Sequence, residues 1–328
     1  MKTHLKILLF PFVFVIMSSI GVAQAHGFKE IVVFGESSSD TGNAGYLQCP
    51  SPPDWGPWAP CTSAYYDGNL TNGPIWIEFL ADRLGLSRPE PSLLGGTNHA
   101  YAGAKTQRGL NQRVSLLTGQ PVEGSEVPGI LSQIDTYLST GQRFKTEDLV
   151  VIWGGANDLR DIRGPEDLQG VLDNLGMAIS TVACSGAKHI VVPNQLNASV
   201  SPAVRLSGAD PAQVEQVVRT FNFALRTMVE NFEDSLPAAC GHKAVLHYVD
   251  MFAAGEAILT LSEQFDEPYA NIEDPAVNLF TLEVPDGVDP NDFLFLDTIH
   301  VTTPAQQFFA GTAYTTLKFQ IPSLRSIR

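Results

Sequence analysis

The stretch Ile31-Val32-Val33-Phe34-Gly35-Glu36-Ser37-Ser38-Ser39-Asp40-Thr41-Gly42-Asn43 decides how this chain is read. An unbroken run of β-branched and aromatic residues meets a glycine and then a cluster of Ser, Asp, Thr, Gly and Asn. That pattern predicts a buried strand closing in a tight turn. Open α/β sheets carry their reactive groups at the carboxyl ends of their strands, so Ser37, just past the apolar run, is a candidate nucleophile.

The same pattern of strand, small-residue turn and helix recurs outward from there. Asn98 to Ala104 follows Gly95-Gly96 as a short strand with its own glycine turn, and Leu149-Val150-Val151-Ile152-Trp153 runs into Gly154-Gly155-Ala156-Asn157-Asp158. His189 to Pro193 and Ala244 to Val249 are two further apolar strands. Helical spacing is predicted over Ile75–Leu84, Ile130–Leu138, Pro165–Ala183 and Ala212–Phe232, and Thr303-Pro304 opens a last helix running through Ala313 or beyond. Strands near residues 31, 98, 150, 190 and 246, separated by helices, predict a three-layer α/β/α sandwich around a five-stranded parallel sheet. No linker or internal repeat divides it.

A serine hydroxyl needs a base within hydrogen-bond reach and a third group to hold that base's tautomer. His300 can serve as the base, and Asp297, three residues earlier, can accept from Nδ1 and leave Nε2 facing Ser37. Acyl transfer also needs donors aimed at a developing oxyanion. The backbone N–H groups of Ser37 and Gly103 and the side-chain amide of Asn157 are the candidates, each from a turn after a predicted strand.

Four blocks carry a family resemblance: Gly35 to Asn43, Asn98 to Ala104, Gly155-Ala156-Asn157-Asp158, and Asp297-Thr298-Ile299-His300. In this order they resemble the GDSL lipases and esterases of the SGNH hydrolase superfamily. Asn72-Gly73 with Trp76, and Phe221-Asn222 with Leu225, extend the likeness over nearly all of the chain past its amino-terminal segment. The resemblance implies a flavodoxin-like fold and a serine esterase with Ser37, His300 and Asp297 as triad and Ser37, Gly103 and Asn157 as oxyanion hole. No cofactor is implied. Three positions depart from the family's usual pattern: Glu36 stands where Asp is usual, Ser38 where Leu is usual, and Val301 where Pro more often follows the histidine. An α/β-hydrolase is disfavoured because position 39 is Ser rather than the Gly of G-x-S-x-G, and because only two residues separate Asp297 from His300.

Composition limits the partners. The 328 residues carry a net charge of −15, which disfavours a nucleic-acid partner. Lys2 and Lys6, an apolar run from Ile7 to Val22 and then Ala23-Gln24-Ala25 predict a signal peptide over residues 1–25, cleaved before His26, and one exported domain over 26–328. No lasting membrane anchor is expected, and the substrate class is a small-molecule, lipid or glycan ester; the alternatives are an acyltransferase with the same triad and a catalytically impaired protein that binds glycan or lipid. Four cysteines, at 49, 61, 184 and 240, suggest disulfides; the short loop favours Cys49 with Cys61 and leaves Cys184 with Cys240. No H-E-x-x-H or C-x-x-C spacing marks a metal site, and Asp286, Asp289 and Asp292 lack the spacing of an EF-hand loop. The proline-rich segment with Trp55 and Trp58 is expected to be irregular, either a flap close in sequence to Ser37 that walls a substrate cleft or a surface loop whose tryptophans pack on the body.

Overall fold

The computed structural model describes residues 27–48, 62–114, 121–265 and 268–326. The predicted signal peptide, the Cys49–Cys61 pair and the Trp55/Trp58 flap lie outside the described residues. In chain order the elements are β1 (Glu30–Gly35), α1 (Asn43–Gln48), α2 (Trp76–Leu84), β2 (Leu110–Val114), β3 (Pro121–Pro128), α3 (Ile130–Ser139), β4 (Asp148–Trp153), α4 (Ala156–Leu159), α5 (Pro165–Cys184) and β5 (His189–Pro193). There follow α6 (Pro202–Ser207), α7 (Pro211–Cys240), β6 (Val245–Val249), α8 (Met251–Phe265), β7 (Asn271–Pro275), β8 (Phe293–Phe295) and α9 (Thr303–Gln320).

The central sheet is parallel, in the order β1-β4-β5-β6. Strand side chains alternate between faces, and the chain makes both faces apolar. Val33, Val151 and Val191 pack on one side with Trp76, Ile258 and Phe309 of α2, α8 and α9. Val32, Val150 and Ile190 pack on the other with Ile134, Leu175 and Leu225 of α3, α5 and α7. The three-layer α/β/α architecture follows.

The sheet has four strands, not five. The segment at 98 makes one bridge to Val33: the Val33 N–H donates to the Thr97 carbonyl at 3.0 Å and the His99 N–H to the Val33 carbonyl at 2.7 Å. Beyond it the Tyr101 N–H still donates to the Gly35 carbonyl at 3.2 Å, but the Gly35 N–H donates to Gln133 at 2.9 Å, which breaks the ladder, while the side chain of Asn98 ties the segment to the neighbouring turns. Its amide donates to the Ser39 carbonyl at 2.6 Å and its oxygen accepts from the Ala100 N–H at 2.9 Å. The helix expected to end at Phe232 continues to Cys240, with Leu236 buried, and Cys240 is joined to Cys184 at the end of α5. The hairpin β2–β3 and helix α8 were not foreseen from the sequence pattern. None of the helices among the described residues is long and apolar enough to cross a membrane.

Candidate active site

The first strand ends against a side chain that completes it. From α3, Gln133 accepts from the Gly35 N–H at 2.9 Å and donates to the Gly35 carbonyl, also at 2.9 Å, pairing that peptide as a neighbouring strand would. The turn beyond is organised by Asp40, whose buried carboxylate accepts from the N–H groups of Gly42, Asn43 and Ala44 and, across the cleft, from that of Ala102 at 2.8 Å. Burial raises the Asp40 pKa, and these four donors offset part of that rise. Asn43 in turn donates to the carbonyls of Asn98 and Ala100, and Trp76 donates to the Ser39 hydroxyl. The Ser37 turn and the Gly103 turn are therefore one hydrogen-bonded unit.

The Asn157 turn is tied to the same unit. Asp158 accepts from the N–H and hydroxyl of Thr106, with burial pushing its carboxyl up to about 6. Asn157 donates through Nδ2 to the Ala104 carbonyl at 2.9 Å and to Glu36 Oε2 at 2.7 Å. Glu36 is only 1% exposed, and burial, followed by the charge of Asp158, pushes its carboxyl up to about 8.

At the carboxyl end of the chain, Asp297 is fully buried and its Oδ2 lies 2.8 Å from His300 Nδ1. Its Oδ1 accepts from the N–H groups of Ile299 and His300 at 2.9 and 2.8 Å. Burial alone would raise the Asp297 pKa, but the adjacent imidazole and these N–H groups together hold it below the ordinary value. A residue without a recognisable signal completes the set: the Tyr65 hydroxyl, buried, donates to Asp297 Oδ2 at 3.0 Å. Burial and the carboxylate beside it keep Tyr65 protonated far above its usual pKa.

Ser37, Gly103, Asn157 and His300 all line one cavity of about 420 Å³, a volume typical of small-molecule sites. The rest of its wall is largely apolar, with Leu196 and Ile258 from the central body, Leu282 and Phe280 from the segment between β7 and β8, and Phe309 from α9. The backbone N–H groups of Ser37 and Gly103 have no partner among the described residues, nor do the Ser37 hydroxyl and His300 Nε2. Each is available to a ligand. Gly103 has φ +85, and a Cβ there would come within 2.5 Å of the Arg113 side chain, so glycine is required by both conformation and space. Such an arrangement can carry out acyl transfer through a serine, with the charge on the intermediate met by main-chain donors.

Residues 31–311 match the family described as GDSL-like Lipase/Acylhydrolase. The chain belongs to that family. Among its relatives, a phosphatidylcholine-sterol acyltransferase of Aeromonas hydrophila is 30% identical over 186 residues, which is 54% of this chain and 48% of the relative. A GDSL esterase/lipase of Arabidopsis thaliana is 24% identical over 86% of this chain and 83% of the relative. Lipase 1 of Photorhabdus luminescens is 27% identical over 57% of this chain and 25% of its own length. The chain thus matches half or less of the acyltransferase and of that lipase. A crystal structure of a lipolytic G-D-S-L family protein from Veillonella parvula aligns over 88% of this chain and 97% of its own, at 13% identity and a TM-score of 0.44. The family's description covers lipases and acylhydrolases.

Of the five sequence-predicted site residues, the structure brings Ser37, Gly103, Asn157 and His300 to one cavity and buries Asp297 behind His300. Asp40, Asn43, Asn98 and Gln133, which hold the Ser37 and Gly103 turns, are not among the residues that the sequence predicts for the site. Three of these lie inside the motif blocks, and only Gln133 stands outside them. The histidines at 99, 189 and 247 are structural: His99 packs between Phe34 and Tyr137, and His189 stacks on His247. The carboxyl of Asp289 is used locally, accepting from the Asn291 N–H.

Proposed function

We propose that this protein is an exported carboxylic-ester hydrolase that works through an acyl-enzyme on Ser37. The observation carrying this reading is the Asp297–His300 pair at 2.8 Å, which opens together with Ser37 onto an apolar cavity edged by two unpaired N–H groups. Ser37 Oγ attacks the ester carbonyl while His300 Nε2 takes its proton. The tetrahedral oxyanion is met by the N–H groups of Ser37 and Gly103. Collapse expels the alcohol, which leaves with the proton held by His300. Water, activated by the same imidazole, then releases the acid and restores Ser37. Asp297 fixes the imidazole with Nδ1 protonated and stabilises its positive charge.

The cavity wall favours an apolar acyl chain. Burying each added methylene contributes about 0.8 kcal/mol, so kcat/KM is expected to rise about fourfold per methylene until the cavity is filled. The Aeromonas relative's description as an acyltransferase gives a second reading, in which an acceptor alcohol replaces water in the last step. The amino-terminal apolar run and the Cys184–Cys240 bond support export of a single domain over residues 26–328.

The test is hydrolysis of p-nitrophenyl esters from acetyl to long acyl, with and without an added alcohol, together with labelling by a fluorophosphonate. Ser37→Ala is expected to abolish labelling and lower kcat by at least a thousandfold. Undiminished hydrolysis in that variant would overturn the reading, and an ester product formed from the added alcohol would favour transfer.

A further inference from the structure

The Asn157 side chain has two N–H hydrogens, and both are in use. One goes to the Ala104 carbonyl at 2.9 Å and the other to Glu36 Oε2 at 2.7 Å; the Asn157 backbone N–H also points at Glu36 Oε2, at 3.4 Å. An amide nitrogen has no third hydrogen to offer. For Asn157 to donate to an oxyanion, as the resemblance implies, it must give up one of these partners. The Ala104 carbonyl is the same at every pH, whereas Glu36 changes from carboxylic acid to carboxylate. We propose that Glu36 is a positioning residue for the oxyanion site, holding the Asn157 amide away from the substrate when charged and yielding it when protonated.

Two effects act in the same direction. A charge-assisted hydrogen bond is roughly twice as strong as a neutral one, so the carboxylate competes for the amide far better than the acid does. Glu36 also directly precedes Ser37 and lines the same cavity. In a buried site, a negative charge there opposes the negative charge that forms on the substrate oxygen. The charges bearing on Glu36 are Asp158, which opposes its ionisation, and Arg160, which favours it, both from the segment after β4. Asp40 lies on its own turn, and Arg113 from β2 and His300, backed by Asp297, face the cavity. Burial dominates and moves the Glu36 carboxyl up to about 8, so the change falls on the alkaline side of neutrality. The stem also matters. Aspartate, the residue usual here in the family, is one methylene shorter, so its carboxyl cannot reach Asn157 from the same backbone position without a shift.

This inference rests on Ser37 acting as nucleophile, and the two fail separately. The experiment follows kcat and kcat/KM of the full chain from pH 5 to 10 with a neutral ester, for wild type, Glu36→Gln and Asn157→Ala. The wild type is expected to rise with deprotonation of its base and then lose about tenfold or more between pH 7 and 9.5. The fall should lie mainly in kcat, with KM little changed. Glu36→Gln, similar in size and never charged, should hold its plateau through pH 9.5. Asn157→Ala should be slower at every pH and show a shallower alkaline fall. A Glu36→Gln variant with the wild-type alkaline fall overturns the proposal, as does a wild type with no fall. Should Glu36→Gln not fold, the rate at which a neutral fluorophosphonate labels wild-type Ser37 is the second measurement. A labelling rate that declines above pH 8 supports the proposal, and one that climbs steadily to pH 10 overturns it. Labelling of Ser37 without any Glu36-dependent fall would leave the esterase reading standing and remove this one.

Discussion

Asp297 matches Asp40 in the number of donors that its carboxylate takes. Four donors converge on its two oxygens, from the backbone of Ile299 and His300, the ring of His300 and the hydroxyl of Tyr65. A hydrogen bond to a charged group contributes about 1.5–3 kcal/mol. Tyr65 shares Oδ2 with His300, so removing it loosens the group that orients the imidazole. Tyr65→Phe is expected to lower kcat about tenfold with KM little changed, as steady-state kinetics on a soluble ester would show. A change confined to KM would mean that Tyr65 serves substrate binding instead. At this scale Ser37, Gly103, Asn157, Asp297 and His300 were legible because each lies in a short block with a chemical pattern of its own. Tyr65 was not, because a lone tyrosine after a proline-rich loop looks the same whether it packs, binds or orients. Nor was the occupancy of Asn157, which depends on where the longer stem of Glu36 places its carboxyl.

Elements that read as uninterrupted apolar runs were found where the sequence puts them, because a strand buried on both faces has no other composition available. The segment at 98 pairs with β1 only in part, through competition: the Gly35 N–H that would continue the ladder donates to Gln133 instead. The hairpin β2–β3 is rich in polar residues and has weak alternation, and α8 follows β6 with only Asp250 between them, the N-cap whose carboxylate accepts from the Ala253 N–H at 3.0 Å. Gln133 on α3 shows how helix and strand meet at the site. It is 2% exposed and pairs with both polar groups of the Gly35 peptide. Gln133→Leu leaves the Gly35 N–H without that acceptor, at an expected cost of about 1–3 kcal/mol. Urea unfolding measures it, and an unchanged midpoint would show that another group fills the role. Because that peptide leads directly into Ser37, a loss of kcat is expected alongside.

Over the whole molecule, one covalent link joins the ends of α5 and α7. Cys184 and Cys240 are separated by 56 residues, and closing a loop of that length restricts the unfolded chain by about 4 kcal/mol in the chain-entropy account. Replacing both cysteines by serine is expected to lower stability by up to that amount, measured by denaturant unfolding without reductant. Added reductant should bring the wild type to the same value. The bond lies on the face of the sheet carrying α3, α5 and α7, while α9, just past His300, packs on the other face. Partial loss of activity on reduction would therefore report on global unfolding. Sequence distance within the site has a different kind of consequence. Ser37 is among the first described residues and His300 among the last, with α9 fastening the latter to α2 through Gln306 and the Trp76 N–H. Since chains are made from the amino terminus, Ser37 is made long before Asp297 and His300, the groups proposed as its partners. The proposed site can therefore assemble only after α9 has been made and packed, and a chain ended before His300 would carry Ser37 without its proposed base.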